Sequence, residues 1–406
     1  MSLWAEFLDW VLPPVFAGYV AAVAVYLALQ TYFAAAQTGR RRRIRQQSPA
    51  DPPPPSVDVI VPCFNESPET LEACLESLSR QDYPGRLTVY VVDDGSPNRE
   101  ALAPVYQRYR EDFGYRILVL PENVGKRFAQ SKAIRGSDGD VIVAVDSDTM
   151  IAPDGVRRLA RALDPPDVGA VMGEMLAANR AAGWLTRLID LRYWYACNQE
   201  RAAQSYFGAV LCCSGPFSAY RRESFEKVLE EYLDQTFLGR PSTYGEDRYL
   251  TNLILRTGNR TVYEPEAKAL TMAPERMRPF LRQQLRWNRC TYRDTLNIAR
   301  HLPSLGGYLV FDAFIQVFAP ALLGLSALLI LLQGLSAGPA AVTGYLLTLG
   351  LVAAGYCAYG VYRTRNARFA LFAVYGVLHV ALLIPNRVWA MLTISDDRWG
   401  RRGADA

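Results

Sequence analysis

Three long stretches of the chain are strongly apolar and contain no Asp, Glu, Lys or Arg: Trp10–Gly39, Ala313–Tyr362 and Phe369–Asn386. An uncharged apolar stretch of roughly 18 residues or more can cross a bilayer as a helix. The middle stretch is too long for one crossing and has Gly334 and Gly338 near its centre. It therefore predicts two spans, roughly 313–333 and 340–362. The last stretch predicts a third span or a re-entrant segment, which could continue to Ser395.

The flanks of the first stretch predict a retained anchor rather than a cleaved signal peptide. Glu6 and Asp9 precede it, and five arginines follow it within 40–45, whereas a signal peptide carries its positive charge in front. The positive-inside rule places its C-terminal end in the cytoplasm and the N-terminus outside. Three arginines within 363–368 predict a cytoplasmic loop between the second and third C-terminal spans.

Between these stretches the pattern changes to short β-branched runs, which predict strands at Val57–Phe64, Leu87–Val92, Arg116–Leu120 and Val141–Val145. Apolar residues recur at helical spacing between the first two runs, with Ser67 placed to cap the helix and Pro68 in its first turn. Strands that alternate with helices predict an α/β fold with a largely parallel sheet. Ligands of such sheets bind at the carboxyl ends of the strands.

Composition and charge narrow the function classes. The 406 residues are 50% hydrophobic and 21% charged with a net charge of +4, which excludes disorder, collagen and a small disulfide scaffold. The positive excess flanks the apolar stretches, and the part between them is mildly acidic, which argues against nucleic-acid binding. Seven cysteines without a CxxC pair, and only two histidines, do not indicate a zinc site; we expect reduced core thiols.

The segment Met277–Leu302 alternates arginines with apolar and aromatic residues. Such a basic amphipathic segment, directly before membrane spans, predicts helices that lie in the cytoplasmic interface. An ordinary surface helix is the alternative interpretation.

Two acidic motifs follow predicted strands. Asp94 lies in Asp93-Asp94-Gly95 after LTVYVV, where a carboxylate can bind a ribose or a base edge; a simple turn is the alternative. Asp146 and Asp148 follow VIVAV, and two carboxylates spaced by one residue can share Mg²⁺ or Mn²⁺, which would neutralise a diphosphate leaving group.

Two further motifs lie closer to the C-terminus. Asp247, in Gly245-Glu246-Asp247, could act as general base toward a hydroxyl, and it could equally begin a helix; the two roles are compatible. In Gln283-Gln284-Leu285-Arg286-Trp287, the arginine could clamp a diphosphate and the tryptophan could support a sugar ring. Anchoring of Arg286 and Trp287 in the membrane interface is the alternative.

The order DDG, DxD, ED and QxxRW, between an N-terminal anchor and C-terminal spans, resembles the processive, inverting family 2 glycosyltransferases, which include cellulose, chitin and hyaluronan synthases. The resemblance is strongest over 57–300 and is closest to the nodulation protein C type of chitooligosaccharide synthase. It rests on the stretches VDVIVPCFNE (57–66), QDYPGRLTVYVVDDGSPNRE (81–100), LPENVGKRFAQ (120–130), VDSDT (145–149), NQERAAQSYFGAVLCCSGP (198–216), YGEDRYLTN (244–252) and RQQLRWNRCTYRDT (282–295).

The resemblance implies a GT-A type nucleotide-sugar-binding domain with a mixed, mostly parallel sheet, interfacial amphipathic helices and transmembrane helices. The implied organisation is an anchor (1–39), a basic and Pro-rich linker (40–56), a cytoplasmic glycosyltransferase domain (57–275), interfacial helices with QxxRW (276–308), a membrane region (309–395) and a tail (396–406). The protein would be a multi-pass protein of the inner or plasma membrane.

The resemblance also implies the site residues. Asp247 would be the catalytic base, and Asp146 and Asp148 would hold the metal–UDP unit with Mg²⁺ or Mn²⁺. The UDP-sugar would be bound by Pro62, Asn65, Glu66, Asp94, Lys126, Asp146, Gln283, Arg286 and Arg402. The acceptor would be bound by Ser214, Gly215, Pro216 and Trp287. The implied reaction transfers GlcNAc from UDP-GlcNAc to a growing β-1,4-linked glycan with inversion at C1.

Three alternatives stay open. TFLGRPSTYGEDRYLTN (236–252) and the tail Trp399–Arg402 are similar to hyaluronan synthases, which use UDP-GlcNAc and UDP-glucuronate. In those families the tail lies on the nucleotide side, whereas three simple C-terminal spans would place it outside; a re-entrant segment would remove this conflict. A lipid-linked enzyme that adds a single sugar and a non-catalytic membrane protein that binds sugars or cyclic nucleotides are the other two.

Overall fold

The computed structural model of the protein describes residues 3–47 and 53–396. Arg402 and the other residues of the predicted tail beyond Asp396 lie outside this part. The described chain divides into two compact units. The sheet unit contains residues 33–47, 53–180, 196–273 and 395–396, and the helical unit contains residues 3–32, 181–195 and 274–394.

The strands are β1 (Val57–Cys63), β2 (Leu87–Asp93), β3 (Arg116–Val119), β4 (Val141–Val145), β5 (Thr149–Ile151), β6 (Val168–Ala177), β7 (Phe217–Arg221), β8 (Thr236–Phe237), β9 (Arg240–Pro241) and β10 (Arg260–Thr271). The α-helices are α1 (Leu3–Gln47), α2 (Pro68–Ser79), α3 (Arg99–Phe113), α4 (Lys126–Arg135), α5 (Gly155–Ala162), α6 (Trp184–Tyr195), α7 (Ala202–Tyr206), α8 (Arg222–Glu226), α9 (Leu229–Leu233), α10 (Glu246–Arg256), α11 (Met277–Ile298), α12 (Leu302–Leu305), α13 (Gly307–Ala337), α14 (Thr343–Thr364), α15 (Phe372–Leu378) and α16 (Ile384–Leu392). Short 3₁₀ or π segments cover Ala196–Arg201, Pro339–Val342, Ala367–Leu371 and His379–Leu383.

The sheet unit is built on eight strands in the order β3-β2-β1-β4-β7-β6-β10-β5. Strands β1 to β4 are parallel, and β7 runs antiparallel to both of its neighbours, β4 and β6. The register pairs Cys63 with Asp93, so β1 and β2 end side by side at one edge of the sheet. The four predicted strands and the α/β class with a mixed, mostly parallel sheet are confirmed.

Both faces of the sheet are covered because the strand residues alternate between two apolar clusters. Val59 and Val61 face the cluster that contains α2 and α3, whereas Ile60 faces the cluster that contains Leu250 of α10. Helix α2 begins as its sequence predicts, with the Ser67 hydroxyl accepting a hydrogen bond from the Thr70 amide. The connections between parallel strands place helices on both faces of the sheet, and both faces are therefore buried.

Helix α1 extends to Gln47, whereas the sequence predicts a basic linker from residue 40. The sheet unit holds the end of this helix through polar and aromatic contacts. The Gln37 amide donates to the Ser205 hydroxyl at 3.0 Å, and Arg41 forms an ion pair with Glu264. Two of the arginines after the anchor therefore bind the protein itself, since Arg40 also donates to the Tyr206 carbonyl.

Within residues 3–47 and 53–396, four helices are long and apolar enough to cross a membrane. Three of them lie wholly in the helical unit: Gly307–Ala337, Pro339–Thr364 and Ala367–Leu392. The fourth is the span of α1, Glu6–Arg41, most of which belongs to this unit. The first two C-terminal spans are longer than the predicted 313–333 and 340–362, and the third ends at Leu392, between the two predicted ends, Asn386 and Ser395. Tyr26 of α1 donates to the Asp312 carboxylate at 2.7 Å, which gives this fully buried acidic side chain in an apolar helix a hydrogen-bond partner.

The C-terminal end of the chain returns to the sheet unit. The Asp396 carbonyl accepts a hydrogen bond of 2.6 Å from the Tyr244 hydroxyl, directly before α10. The preceding apolar segment, Ala367–Leu392, changes between 3₁₀, α and π geometry rather than forming one regular helix.

Candidate active site

A cluster of one lysine and three carboxylates lies at the carboxyl edge of the sheet. Lys126 Nζ is 2.8 Å from Asp146 Oδ1, 3.3 Å from Glu246 Oε1 and 3.8 Å from Asp247 Oδ1. Lys126 is the first residue of α4, Asp146 follows β4, and Glu246 and Asp247 begin α10. Sequence-distant residues that the resemblance assigns to donor, metal and base are therefore brought together here.

Asp247 keeps 31% of its side chain exposed, whereas Glu246 keeps 13%. Its Oδ2 accepts a hydrogen bond of 2.9 Å from the Gly215 amide, which lies just before β7. A small cavity lined mainly by apolar side chains, among them Ile142 and Leu250, lies against it. Burial raises the pKa of Asp247 to about 7; Lys126 opposes this rise and the carboxylate of Glu246 adds to it.

The carboxylates of the cluster also change the pKa of Lys126. Burial alone would lower the pKa of Lys126, but the carboxylates of Asp146, Asp247 and Glu246 outweigh it and hold that pKa well above its ordinary value. Lys126 is therefore a permanent cation in a pocket with three acidic neighbours. Such a charge is suited to contact a phosphate that enters the site.

A side chain at Gly215 would displace the charged groups of the cluster. An added Cβ would lie 2.6 Å from Asp247 Oδ2 and 2.7 Å from Lys126 Nζ. Glycine lets the backbone approach the charged cluster closely without displacing Asp247 or Lys126. Its neighbours Ser214 and Pro216 form the turn into β7, in which the Ser214 carbonyl accepts from the Ser218 hydroxyl at 2.7 Å.

Asp148 is held by two hydroxyl groups. Thr149 and Thr271 both donate to Asp148 Oδ1, at 3.2 and 3.4 Å. Asp146 and Asp148 present hard carboxylate oxygens, which suit Mg²⁺ or Mn²⁺. No group of three potential ligands among His, Cys, Asp and Glu occurs in residues 3–47 and 53–396. Two carboxylates nevertheless fit an ion that also binds substrate phosphates, as Mg²⁺ commonly does.

The remaining predicted nucleotide residues lie near the ends of β1 and β2. Asn65 has a positive φ of 50°, and its amide donates to the Ser96 hydroxyl at 3.0 Å. Glu66 accepts a bond of 3.1 Å from the Ser147 hydroxyl, which links the end of β1 to the acidic turn after β4. Pro62 lies within β1 itself, one residue before the strand ends.

Asp94 is almost completely buried, and its hydrogen bonds are to backbone amides rather than to members of the Lys126 cluster. Its two carboxylate oxygens accept hydrogen bonds from the amides of Val124 and Gly125, at 2.8 and 2.9 Å. Burial raises the pKa of Asp94, and these two amides oppose the rise.

Gln283, Arg286 and Trp287 lie on α11 in the helical unit, and Arg402 lies outside the described residues. Trp287 is exposed at 38%, and its ring centroid is 6.5 Å from that of Tyr193. Gln283 Oε1 is buried without a hydrogen-bond partner within the described residues. Two other arginines of α11 serve packing, since Arg289 and Arg293 are buried and bind the end of the last span at Thr393 and Ile394.

Sequence reasoning did not assign a role to Glu246. In the structure it is an ion-pair partner of Lys126 and a neighbour that raises the pKa of Asp247. The available signal was its position directly before Asp247 at a helix start, where a carboxylate is favoured by the helix dipole. That preference is common to many surface helices and does not by itself indicate a functional partner.

Comparisons with known proteins show the family of this chain. Residues 58–229 match the model of glycosyl transferase family 2. The chain is 48% identical over 390 residues to an N-acetylglucosaminyltransferase from Sinorhizobium fredii, covering 95% of this chain and 94% of the relative. It is 46% identical over 385 residues to an N-acetylglucosaminyltransferase from Bradyrhizobium diazoefficiens, covering 93% and 79%.

A solved structure shares the fold. A mannosyltransferase from Pyrobaculum calidifontis, in complex with GDP-Man and Mn²⁺, superposes with a TM-score of 0.61 at 23% identity, over 90% of this chain and 98% of the other. With a family 2 domain on a mixed sheet, homologues of matching length and four apolar helices in the described part of the chain, the chain belongs to the membrane-associated family 2 glycosyltransferases and is a hexosyltransferase.

Proposed function

We propose that the protein transfers GlcNAc from UDP-GlcNAc to the end of a growing β-1,4-linked GlcNAc chain, with inversion, at the cytoplasmic face of the inner membrane. The observation that carries the proposal is the cluster of Lys126 with Asp146, Glu246 and Asp247. The names of the relatives support the type of donor. These relatives are N-acetylglucosaminyltransferases, and they align with nearly the whole length of this chain.

Asp247 would deprotonate the acceptor hydroxyl. A general base works best when its pKa lies near the working pH, and burial gives Asp247 a pKa of about 7. The Gly215 amide binds Oδ2 and thereby orients the carboxylate, so that Oδ1 lies toward Lys126. The activated hydroxyl would attack C1 of the donor opposite the departing UDP, which converts an α-linked donor into a β-linked product.

Lys126 would exchange partners when the donor binds. Without a donor it neutralises Asp146 at 2.8 Å. The diphosphate would attract Lys126, which would then stabilise the charge that develops on the leaving UDP. Asp146 and Asp148 would hold Mg²⁺ or Mn²⁺, which supplies further neutralisation of the diphosphate.

The residues proposed to bind the acceptor, and the side of the membrane proposed for the tail, follow from the family resemblance. Ser214, Gly215 and Pro216 would line the acceptor site, and Trp287 would support the acceptor sugar. Gln283 and Arg286 would brace the diphosphate. The Tyr244–Asp396 bond supports a tail on the catalytic side, with Ala367–Leu392 re-entrant rather than a full third crossing.

Asp247→Asn in the purified full-length protein tests the chemistry. We expect transfer from UDP-GlcNAc to fall by roughly 10²–10⁴-fold, because the amide cannot accept the proton. UDP affinity, measured by calorimetry, should change little, because the base acts on the acceptor. Asp112→Asn on α3, an exposed carboxylate in the same unit, is the matched control. Loss of both transfer and UDP binding would mean that Asp247 has a structural role, and full activity would exclude it as the base.

Donor dependence and product size separate the alternatives. A product series formed from UDP-GlcNAc alone supports the proposal. A strict requirement for UDP-glucuronate would instead indicate a hyaluronan synthase, which the similarity of 236–252 favours. A single added sugar on a lipid would indicate a non-processive enzyme.

A further inference from the structure

Arg127 is a buried arginine that follows Lys126 at the start of α4, and the proposed mechanism does not use it. Only 7% of its surface is exposed, although arginine is among the residues that proteins bury least. A guanidinium that loses its water needs acceptors inside the protein, so the partners of Arg127 show which part of the chain it holds.

Both hydrogen-bond acceptors of Arg127 in the part of the chain that the structure describes lie at the base of the β8–β9 hairpin. Its Nη2 donates to the side-chain oxygen of Gln235 and, at 3.1 Å, to the carbonyl oxygen of Ser242. These two residues flank the hairpin, and the Ser242 amide closes it by donating to the Gln235 carbonyl at 2.9 Å. The guanidinium carbon also lies 5.5 Å from the centre of the Tyr232 ring, close enough for a cation–π contact. Arg127 therefore joins α4 to both ends of the hairpin.

The hairpin leads directly into the helix that carries the proposed base. Ser242 is followed by a short segment that ends at Gly245, and α10 then begins with Glu246 and Asp247. This segment turns tightly, because the Ser242 hydroxyl donates to the Tyr244 carbonyl at 3.2 Å and Gly245 has a φ of +91°. Since the segment is so short, the position of Ser242 limits where the first turn of α10 can lie.

Lys126 and Arg127 connect the same turn of α4 to this region in different ways. Lys126 contacts the carboxylates of Glu246 and Asp247, whereas Arg127 binds the backbone that precedes them. In the proposed mechanism, Lys126 leaves the carboxylates for the donor diphosphate. Lys126 keeps 26% of its side chain exposed and can meet a ligand, whereas Arg127 is enclosed by neutral partners. Arg127 therefore keeps its contacts when Lys126 changes partners.

We infer that Arg127 is a positioning residue for Asp247: by holding the base of the β8–β9 hairpin, it keeps the start of α10 in place while Lys126 binds the donor. The Gly215 amide orients the carboxylate of Asp247, and Arg127 fixes the backbone that leads to it. The inference rests on the proposed function, in which Asp247 is the base and Lys126 contacts the diphosphate.

Arg127→Met in the purified full-length protein tests the inference. Methionine keeps the apolar bulk but donates no hydrogen bond, so the hairpin loses both of its bonds to this side chain. We expect kcat for transfer from UDP-GlcNAc to fall on the order of 100-fold, since a displacement of about 1 Å in a reacting geometry can cost that much. UDP affinity, measured by calorimetry, should stay unchanged, because Lys126 is retained. Arg135→Met, at an exposed arginine of the same helix that pairs with Glu230, is the matched control and should leave kcat unchanged.

A second substitution separates positioning from folding. Arg127→Met leaves the buried side-chain oxygen of Gln235 without its donor, which by itself reduces stability. Adding Gln235→Met removes that oxygen, so the melting temperature should recover while kcat stays low, because Ser242 is still not held. Recovery of both quantities would mean that Arg127 only stabilises the fold, and would overturn the inference.

A double-mutant cycle shows whether Arg127 acts through Asp247. In an Asp247→Asn background, Arg127→Met should cause almost no further loss of the residual transfer. An equal loss in both backgrounds, or a fall in UDP affinity as large as the fall in kcat, would overturn the inference. If Asp247→Asn alone retained full transfer, the proposed function would fail instead.

Discussion

The substitution Gly215→Ala tests whether the positions of the charged side chains matter for catalysis, because it displaces them without changing any charge. The new Cβ would lie 2.6 Å from Asp247 Oδ2 and 2.7 Å from Oδ1, whereas ordinary contacts begin at 3.4 Å. The carboxylate must therefore withdraw by about 0.8 Å or rotate. Lys126 Nζ, at 2.7 Å from the same Cβ, must also move.

The expected consequence is a loss of turnover with the fold retained. A misplacement of about 1 Å in a reacting geometry can cost on the order of 100-fold in rate. We therefore expect kcat to fall by about 100-fold. The change in thermal stability should be small, because the charged ends of Lys126 and Asp247 can shift where buried backbone could not.

The assay compares initial rates of sugar transfer and the melting temperature of the purified protein. Gly136→Ala is the matched control, because its added Cβ would make only ordinary contacts, at 3.6 Å and beyond. Turnover within threefold of the unmodified protein would refute the reasoning. A collapse of the melting temperature in Gly215→Ala alone would show that the glycine serves the fold instead.

Three further predictions concern titration and stability. The kcat/KM of the free enzyme should rise about tenfold per pH unit up to about pH 7 and then level, because Asp247 must be deprotonated and its pKa is about 7. Glu246→Gln should move this midpoint to lower pH, since the Glu246 carboxylate raises the pKa of Asp247, and an unmoved midpoint would contradict the assignment. Asp58 is fully buried and pairs with Arg222 at 3.1 Å, so Arg222→Met should reduce the free energy of unfolding by about 3–5 kcal/mol in denaturant titration; a loss below about 1 kcal/mol would contradict it.

The first half of the sheet was predictable because its signals are local. Strand β1 and helix α2 each carry a complete pattern, a β-branched run in one and helical spacing with a Ser67 cap in the other. Strands β6, β7 and β10 were not predicted. Their places in the sheet depend on pairing between distant segments, such as Val143 of β4 with Ala219 of β7, and no local periodicity encodes that pairing.

In the candidate site, too, the sequence motifs identified single residues, whereas the contacts between them were seen only in the structure. The motifs identified Asp146 and Asp247 as important carboxylates, since their types and positions after strands and before helices are visible in the sequence. The sequence did not show that Lys126 bridges them, that Glu246 completes the cluster, or that Asp94 binds the loop before α4. These are distances of a few ångströms between residues far apart in the chain.

The sequence by itself determined the class of this protein: its apolar stretches are long enough to span a membrane, and its acidic motifs follow strands in the order of a family 2 glycosyltransferase. These properties depend on side-chain type and spacing, which the chain displays directly. Only the tertiary structure decided the electrostatics of the site. Burial and the Glu246 carboxylate raise the pKa of Asp247 to about 7 against the opposing charge of Lys126, and only the fold brings these groups together.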